Sequence, residues 1–336
     1  MIVWVTYVVC WLCFFSLHGD AALLASNHTI VAIGGTHFGG TSIVENLLRR
    51  LRDASGLEHR GFPEDEGRFY FSEELKNILG LEEKVGALGA PYPVHVLQDP
   101  LIPKKAASGK AAHLAWRDLS KSWNLEKRIL VVKDIYSEAR FADWCHQFQS
   151  FRGILVLRHP LRVATRNGRG APHLRFRAWL LSMLLAYHSI QRCDVMFIRL
   201  EDLVAKFGEA TDNVARRHWK EIAQFVGSRD GNNDDAELPF TSCALANSIK
   251  ANIQSRRRDL HGNRGAEKIQ LQCADLPRSL DVWFNETVNA QDLAANNRDV
   301  ADSLALFGYS LEPPLVRTPM PFNKFDRKRW FLFEGL

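Results

Sequence analysis

The stretch from Ile30 to Leu48, IVAIGGTHFGGTSIVENLL, constrains the fold more than any other part of the chain. A short apolar run stops at Gly34-Gly35, a second glycine pair follows at Gly39-Gly40, and Thr41-Ser42 open a segment with Ile43, Val44, Leu47 and Leu48 at the spacing of one helical face. In a strand, glycine turn and helix in that order, backbone N–H groups at the helix start face the turn. The helix dipole favours an anion there, and glycines let the backbone approach it closely. The pattern G-x-x-x-x-G-K-[ST] of nucleotide-hydrolysing loops is not met. Counted from Gly34, its lysine position holds Gly40; counted from Gly35, it holds Thr41. An ordinary ATPase or kinase loop is therefore disfavoured, while a glycine turn without ligand remains the plain alternative.

Further short apolar runs predict strands at Ile129–Val132, Gly153–Leu157 and Val195–Ile198, after a first at Thr29–Ile33. Helices are predicted over Ser42–Arg52, Ser137 to about Gln149, Phe176 to about Gln191, and Ala294–Leu306. Strands alternating with helices imply an α/β fold with a mostly parallel central sheet flanked by helices. Leu81–Lys110, rich in Pro and Gly, reads as loop; Gly227–Glu237 as an exposed excursion; Ser255–Gly265 as a mobile arginine-rich segment. None of these forces a second domain. With 336 residues and 46% hydrophobic side chains, one domain over 22–336 can hold a large core.

Residues 1–21 read as a targeting segment. Ile2–Leu17 is apolar and uncharged, and shorter than the roughly 20 residues of a membrane-spanning helix. Gly19-Asp20-Ala21 offers small residues for cleavage after Ala21; an uncleaved signal anchor, which would tether the chain to a membrane, is the alternative. Two sequons, Asn27-His28-Thr29 and Asn285-Glu286-Thr287, point the same way, to the Golgi lumen or secretion. Beyond Cys10 and Cys13, four cysteines remain, Cys145, Cys193, Cys243 and Cys273, which allow two disulfides; Cys243–Cys273 is the first expected pair. No spacing matches a zinc site. The net charge of +5 suits an anionic ligand, and no dense basic tract with interleaved aromatics marks a nucleic-acid binder.

Two other blocks deliver cations to strand ends. In RGILVLRHPLRVATR, Arg152 to Arg166, an apolar strand ends in Arg158-His159-Pro160. Pro160 stops it and leaves Arg158 at the carboxyl edge, where open α/β sheets bind ligands and an arginine can fork onto phosphate. In ILVVKDIYSEARF, Ile129 to Phe141, Lys133 and Asp134 end a strand on the same edge, where a solvated lysine is the competing reading.

GTHFGGTS, Gly35 to Ser42, resembles the 5′-phosphosulfate loop of sulfotransferases that use 3′-phosphoadenosine 5′-phosphosulfate (PAPS). The resemblance implies a P-loop-like sulfotransferase fold and donor binding by Gly35, Thr36, His37, Phe38, Gly39, Gly40, Thr41 and Ser42. His37 matches a histidine of one branch; Phe38 departs from the basic residue many members carry, which leaves His37 more of the charge. Arg158 is implied to hold the 3′-phosphate, with Thr165 or Arg166 near the position of a family serine. Lys133-Asp134 is similar to the Lys-Asp-Pro of several members, with Ile135 for proline, and implies a Lys133 contact to the transferring sulfonate. FIRLEDLV, Phe197 to Val204, resembles a family corner, with FGYSL, Phe307 to Leu311, a weaker echo; by their own chemistry Glu201 and Asp202 begin a helix, where acidic side chains satisfy free N–H groups, and read as structural. Trp179 reads as core.

Sulfonate transfer needs a base for the acceptor proton and cations or N–H groups for the developing charge. GLEHRGFPEDEGRF, Gly56 to Phe69, supplies the base candidates. Glu58 is favoured on a Glu-x-Arg resemblance to tyrosylprotein sulfotransferases, Glu66 is second, and His59 third, against the reading of a solvated acidic loop. The expectation is a sulfotransferase acting on a hydroxyl or amine of a carbohydrate, protein or small molecule, with PAPS as co-substrate and no metal. A lumenal kinase with an atypical loop and an inactive binding protein of the same family are the rivals.

Overall fold

The computed structural model describes residues 27–36, 39–57, 66–79, 109–134, 137–160, 193–201 and 212–232, with single positions at 163, 179, 182, 183, 189, 203 and 309. Their elements are β1 Thr29–Gly35, α1 Thr41–Leu48, β2 Ala54–Ser55, α2 Glu73–Leu79, α3 Gly109–Leu119, β3 Ile129–Lys133, α4 Phe141–Gln147, β4 Phe151–Leu157, β5 Val195–Arg199 and α5 Asp212–Phe225. Short 3-10 turns cover Gly67–Tyr70, Ser137–Arg140 and Arg229–Asn232.

The five strands form one parallel sheet in the order β2-β3-β1-β4-β5. β1 lies in the middle, with Ile33 opposite Lys133 of β3 and Gly35 opposite Val156 of β4. The α/β reading from the sequence holds. Because both faces are covered, β1 reads as a continuous apolar run instead of an alternating one. Val31 and Ile33 join a cluster with Val44, Leu47 and Leu48 of α1 and with Trp219, Ile222, Ala223 and, just past the helix end, Val226 on the α5 stripe. Ile30 and Ala32 join the opposite cluster, with Ala111, Leu114, Ala115 and Leu119 of α3 and Phe141 and Trp144 of α4. The helix after β1 thus lies on one face, and those between β2 and β4 on the other. That is what a common crossover hand requires when the chain reverses direction across the sheet. The reversal falls at the carboxyl ends of β3, β1 and β4, the position at which open α/β sheets bind ligands.

Because β2 has only two residues, β3 needs other partners along that edge. The Trp123 indole donates to the Val131 carbonyl at 2.9 Å, and Glu66 makes a parallel bridge to Lys133. This replacement of a strand by an indole and a single bridging residue carries Glu66 to the carboxyl end of β3.

Several boundaries differ from expectation. α1 ends at Leu48, not Arg52; Leu51 stays 2% exposed inside the core, so the apolar period runs on while the chain turns toward β2. The helix expected over Ser137–Gln149 divides into a 3-10 turn and α4. The described positions of the Phe176–Gln191 helix, Trp179, Ser182, Met183 and Ser189, are helical and buried, and Trp179 is core as expected. β2, α2, α3 and α5 were not expected, and α3 takes the last two residues of the Leu81–Lys110 loop. The Gly227–Glu237 excursion is corrected at its start: Ser228 is buried and donates to Asp53 at 2.6 Å. A disulfide joins Cys145 and Cys193, tying α4 to the approach to β5. The expected Cys243–Cys273 pair, the Ala294–Leu306 helix, Ser255–Gly265 and the targeting segment lie outside the described residues. No helix among the described residues is long and apolar enough to cross a membrane.

Candidate functional site

The turn between β1 and α1 closes on itself through a bond from the Gly39 N–H to the Thr36 carbonyl at 2.8 Å. Gly35 and Gly40 adopt φ of 142° and 97°, where side chains are strained. A Cβ on Gly35 would meet the Val156 carbonyl oxygen at 2.6 Å, and one on Gly40 the Leu200 side chain at 2.7 Å. These two glycines are therefore demanded by the turn's own packing against β4 and the chain after β5. Gly40 is the N-cap of α1. It offers no side-chain cap, and no acidic residue stands in the first turn. The positive end of the α1 dipole is thus uncompensated by its own helix.

A second positive group is aimed at that end. Lys133, last residue of β3, is 2% exposed, and its ammonium donates to the Ser42 hydroxyl at 3.2 Å. The reading of a solvated strand-end lysine is corrected by this burial. Glu66 balances it, with Oε1 at 3.7 Å from the Lys133 Nζ and only 2% of the residue exposed. The solvated-loop reading is likewise corrected for Glu66. Beside them Asp134 pairs at 2.6 Å with Arg140, whose guanidinium faces the rings of Phe71 and Trp144.

Arg158 follows the last residue of β4 and so stands on the same rim as Lys133, across β1. Its carbonyl accepts from the Trp179 indole at 3.0 Å, which fixes the backbone at the strand end. The next residue, His159, is fully buried. Its N–H donates to Glu201 Oε1 at 2.8 Å, and the Tyr309 hydroxyl donates to Glu201 Oε2 at 3.0 Å. The FIRLEDLV and FGYSL blocks therefore meet. Glu201 is structural as expected, and the partners it holds are the backbone after β4 and Tyr309.

One residue of the rim was not expected. Glu138, in the turn after β3, is fully buried, and its Oε2 accepts from the Gly35 N–H at 2.9 Å. Its Oε1 accepts from the Ser182 hydroxyl. Burial pushes its carboxyl up to about 7, against the lowering effect of these bonds and of Arg140. It lay inside the quoted Lys133 block, but nothing local marks a glutamate there as buried. The crossover from β3 does that.

Of the sequence candidates, the structure brings together Gly35, Thr36, Gly39, Gly40, Thr41, Ser42, Lys133 and Glu66, with Arg158 at the end of the adjoining strand. His37, Phe38, Glu58, His59, Ile135, Thr165 and Arg166 lie outside the described residues. Among the described residues no group of His, Cys, Asp and Glu is placed to hold a metal. No family model matches the chain, and no curated protein matches it.

Proposed function

We propose that the protein is a sulfotransferase of P-loop-like fold that moves a sulfonate from PAPS to a hydroxyl or amine of a carbohydrate, protein or small-molecule acceptor. The observation that carries the reading is the Lys133 ammonium, buried against the uncapped start of α1 directly behind the glycine turn. Of the two positive groups there, the Lys133 ammonium lies 3.7 Å from the Glu66 carboxylate. A polyanion is the ligand that such a constellation favours.

In this reading the donor supplies an activated sulfonate, and its terminal groups lie along Gly35–Ser42. Lys133 and the α1 N–H groups stabilise the charge that grows on the leaving phosphate oxygen. Arg158, at the neighbouring strand end, takes the 3′-phosphate, with Thr165 or Arg166 as the second contact that the resemblance implies. Glu66, next to Lys133, takes the acceptor proton as the new S–O bond forms and the old one breaks. Glu58 stays the candidate of the family resemblance. No step requires a metal. The apolar start of the chain, its sequons and the Cys145–Cys193 bond together favour the secretory pathway.

Titration calorimetry with 3′-phosphoadenosine 5′-phosphate (PAP) and with ATP plus magnesium tests the reading. Tight PAP and weak ATP binding is expected; the reverse would favour the kinase. PAP binding without turnover on any acceptor would mark a binding protein. Arg158→Ala should weaken PAP about tenfold or more, a charge-assisted contact of about 1.5–3 kcal/mol, and leave adenosine 5′-phosphate nearly unchanged. Equal losses on both nucleotides would remove Arg158 from the 3′-phosphate.

A further inference from the structure

We propose that Glu138 is a positioning residue of the anion loop: it holds the Gly34–Gly35 peptide in its neutral form, so that anion binding and protonation of Glu138 are coupled. The inference rests on the reading of the β1–α1 turn as an anion site, and it needs no particular donor.

The geometry leaves the carboxyl one place to act. Glu138 fills the space in which a side chain at position 34 would stand, since a Cβ on Gly34 would collide with its carboxyl and its backbone nitrogen. From there it accepts the Gly35 N–H, the first amide of the turn, at 2.9 Å. On its other side it meets the Ser182 hydroxyl, and its own carbonyl accepts from Ser189 at 3.5 Å. The loop is thus tied through one buried carboxyl to the turn after β3 and to the helical residues behind it.

Both protonation states satisfy these partners. As a neutral acid, Glu138 accepts from Gly35 through Oε2 and gives its proton to the Ser182 oxygen; as a carboxylate it accepts from both. What differs is the charge. An ionised carboxylate behind the first loop amide opposes the positive potential that the loop presents to an anion, and the dry surroundings strengthen that opposition.

The charges around it are largely spent on each other. Arg140, on the same turn, pairs with Asp134, and Lys133 at the end of β3 pairs with Glu66. β1 presents backbone at Gly34 and Gly35, and the helical residues present the Ser182 and Ser189 hydroxyls. At the end of β4 stand Arg158 and His159, with the buried Glu201 bound to the His159 backbone. Burial raises the Glu138 carboxyl to about 7, so its charge is set within the range in which an enzyme works.

The test is calorimetry of PAP and of inorganic pyrophosphate on the wild type, Glu138→Gln and Glu138→Ala at pH 6 and pH 8. Glutamine reproduces the neutral acid, accepting from Gly35 and donating to Ser182. Between the two pH values, wild-type affinity should fall about tenfold relative to Glu138→Gln, as the neutral fraction drops. At pH 8 the wild type should take up close to one proton per anion bound, measured in two buffers of different ionisation enthalpy, beyond that seen with Glu138→Gln. Glu138→Ala should bind both probes more weakly at both pH values. Parallel pH profiles for the wild type and Glu138→Gln, with no excess proton uptake, would overturn the proposal. Pyrophosphate binding with these signatures while PAP fails would sink the sulfotransferase reading and leave Glu138 in its role. If neither probe binds the wild type at millimolar concentration, the turn is not an anion loop and both fall.

Discussion

The two rims of the sheet carry charges under opposite conditions. At the amino ends of the strands, Arg152 pairs with Asp194 at 2.7 Å while Asp194 is 65% exposed, and Arg128 reaches Asp53 at 3.6 Å with 44% of its side chain in solvent. At the carboxyl ends, Lys133, Glu66, Asp134 and Glu138 are each 2% exposed or less. Solvated pairs cost little to form and contribute little. Buried charges cost several kcal/mol each to desolvate, and a fold of pure structural purpose would be more stable with apolar residues there. The amino rim is therefore held together by ordinary surface bonding. The carboxyl rim keeps expensive groups around a glycine turn, and that asymmetry is what favours this edge as the site proposed above.

The largest test of the contrast is Lys133→Met. It leaves the buried Glu66 without its ammonium, and should lower stability by about 3 kcal/mol, the low end for breaking a buried pair. The double variant Lys133→Met with Glu66→Gln should recover most of that loss. Urea midpoints measure both, and a single variant as stable as the wild type would show that the pair is not desolvated as the burial indicates.

Glu138 sharpens the contrast through pH. Its folded pKa is raised from 4.5 to about 7, so between those values the folded protein binds a proton that the unfolded chain has released. Its stabilising contribution is full below about pH 4.5 and is lost as pH rises through about 7. The stability of the wild type minus that of Glu138→Gln should accordingly fall by on the order of 3 kcal/mol across this window and stay flat above pH 8. A flat difference throughout would mean that the carboxyl titrates as an exposed group does.

The smallest effect belongs to the amino rim. Asp194→Asn should cost less than about 1 kcal/mol, and half a molar salt should erase the difference. A loss comparable to that of Lys133→Met would abolish the distinction between the rims.

Where an element is coded by its own residues, the sequence reading was sound. β1, β3, β4 and β5 are apolar runs buried on both faces and were legible within two residues at each end. α5 and α3 also carry a readable stripe, Trp219, Ile222, Ala223 and Val226 on one and Ala111, Leu114, Ala115 and Leu119 on the other, yet both were missed among polar neighbours. β2 could not be read, because two residues have no periodicity; their pairing with Ile129 and Leu130 is what makes them a strand. At the site, Gly35, Lys133 and Arg158 stood out by their position at strand ends, and Gly40 by its place before the first helix.

By itself the sequence determined the alternation of buried strands and helices, the glycine turn after the first strand, and cations at the ends of two others. Each of these is a local property, set by residue type and spacing. Only the tertiary structure decided that β3 and β4 flank β1, which brings Lys133 and Arg158 to either side of one turn. It also decided that Glu66 bridges to Lys133 past a two-residue strand, and that Glu138 lies under Gly34 without solvent. A parallel sheet joins strands that are far apart in the chain, so strand order, and with it the burial of these rim groups and the raised carboxyl of Glu138, is set by long-range pairing that no local pattern encodes.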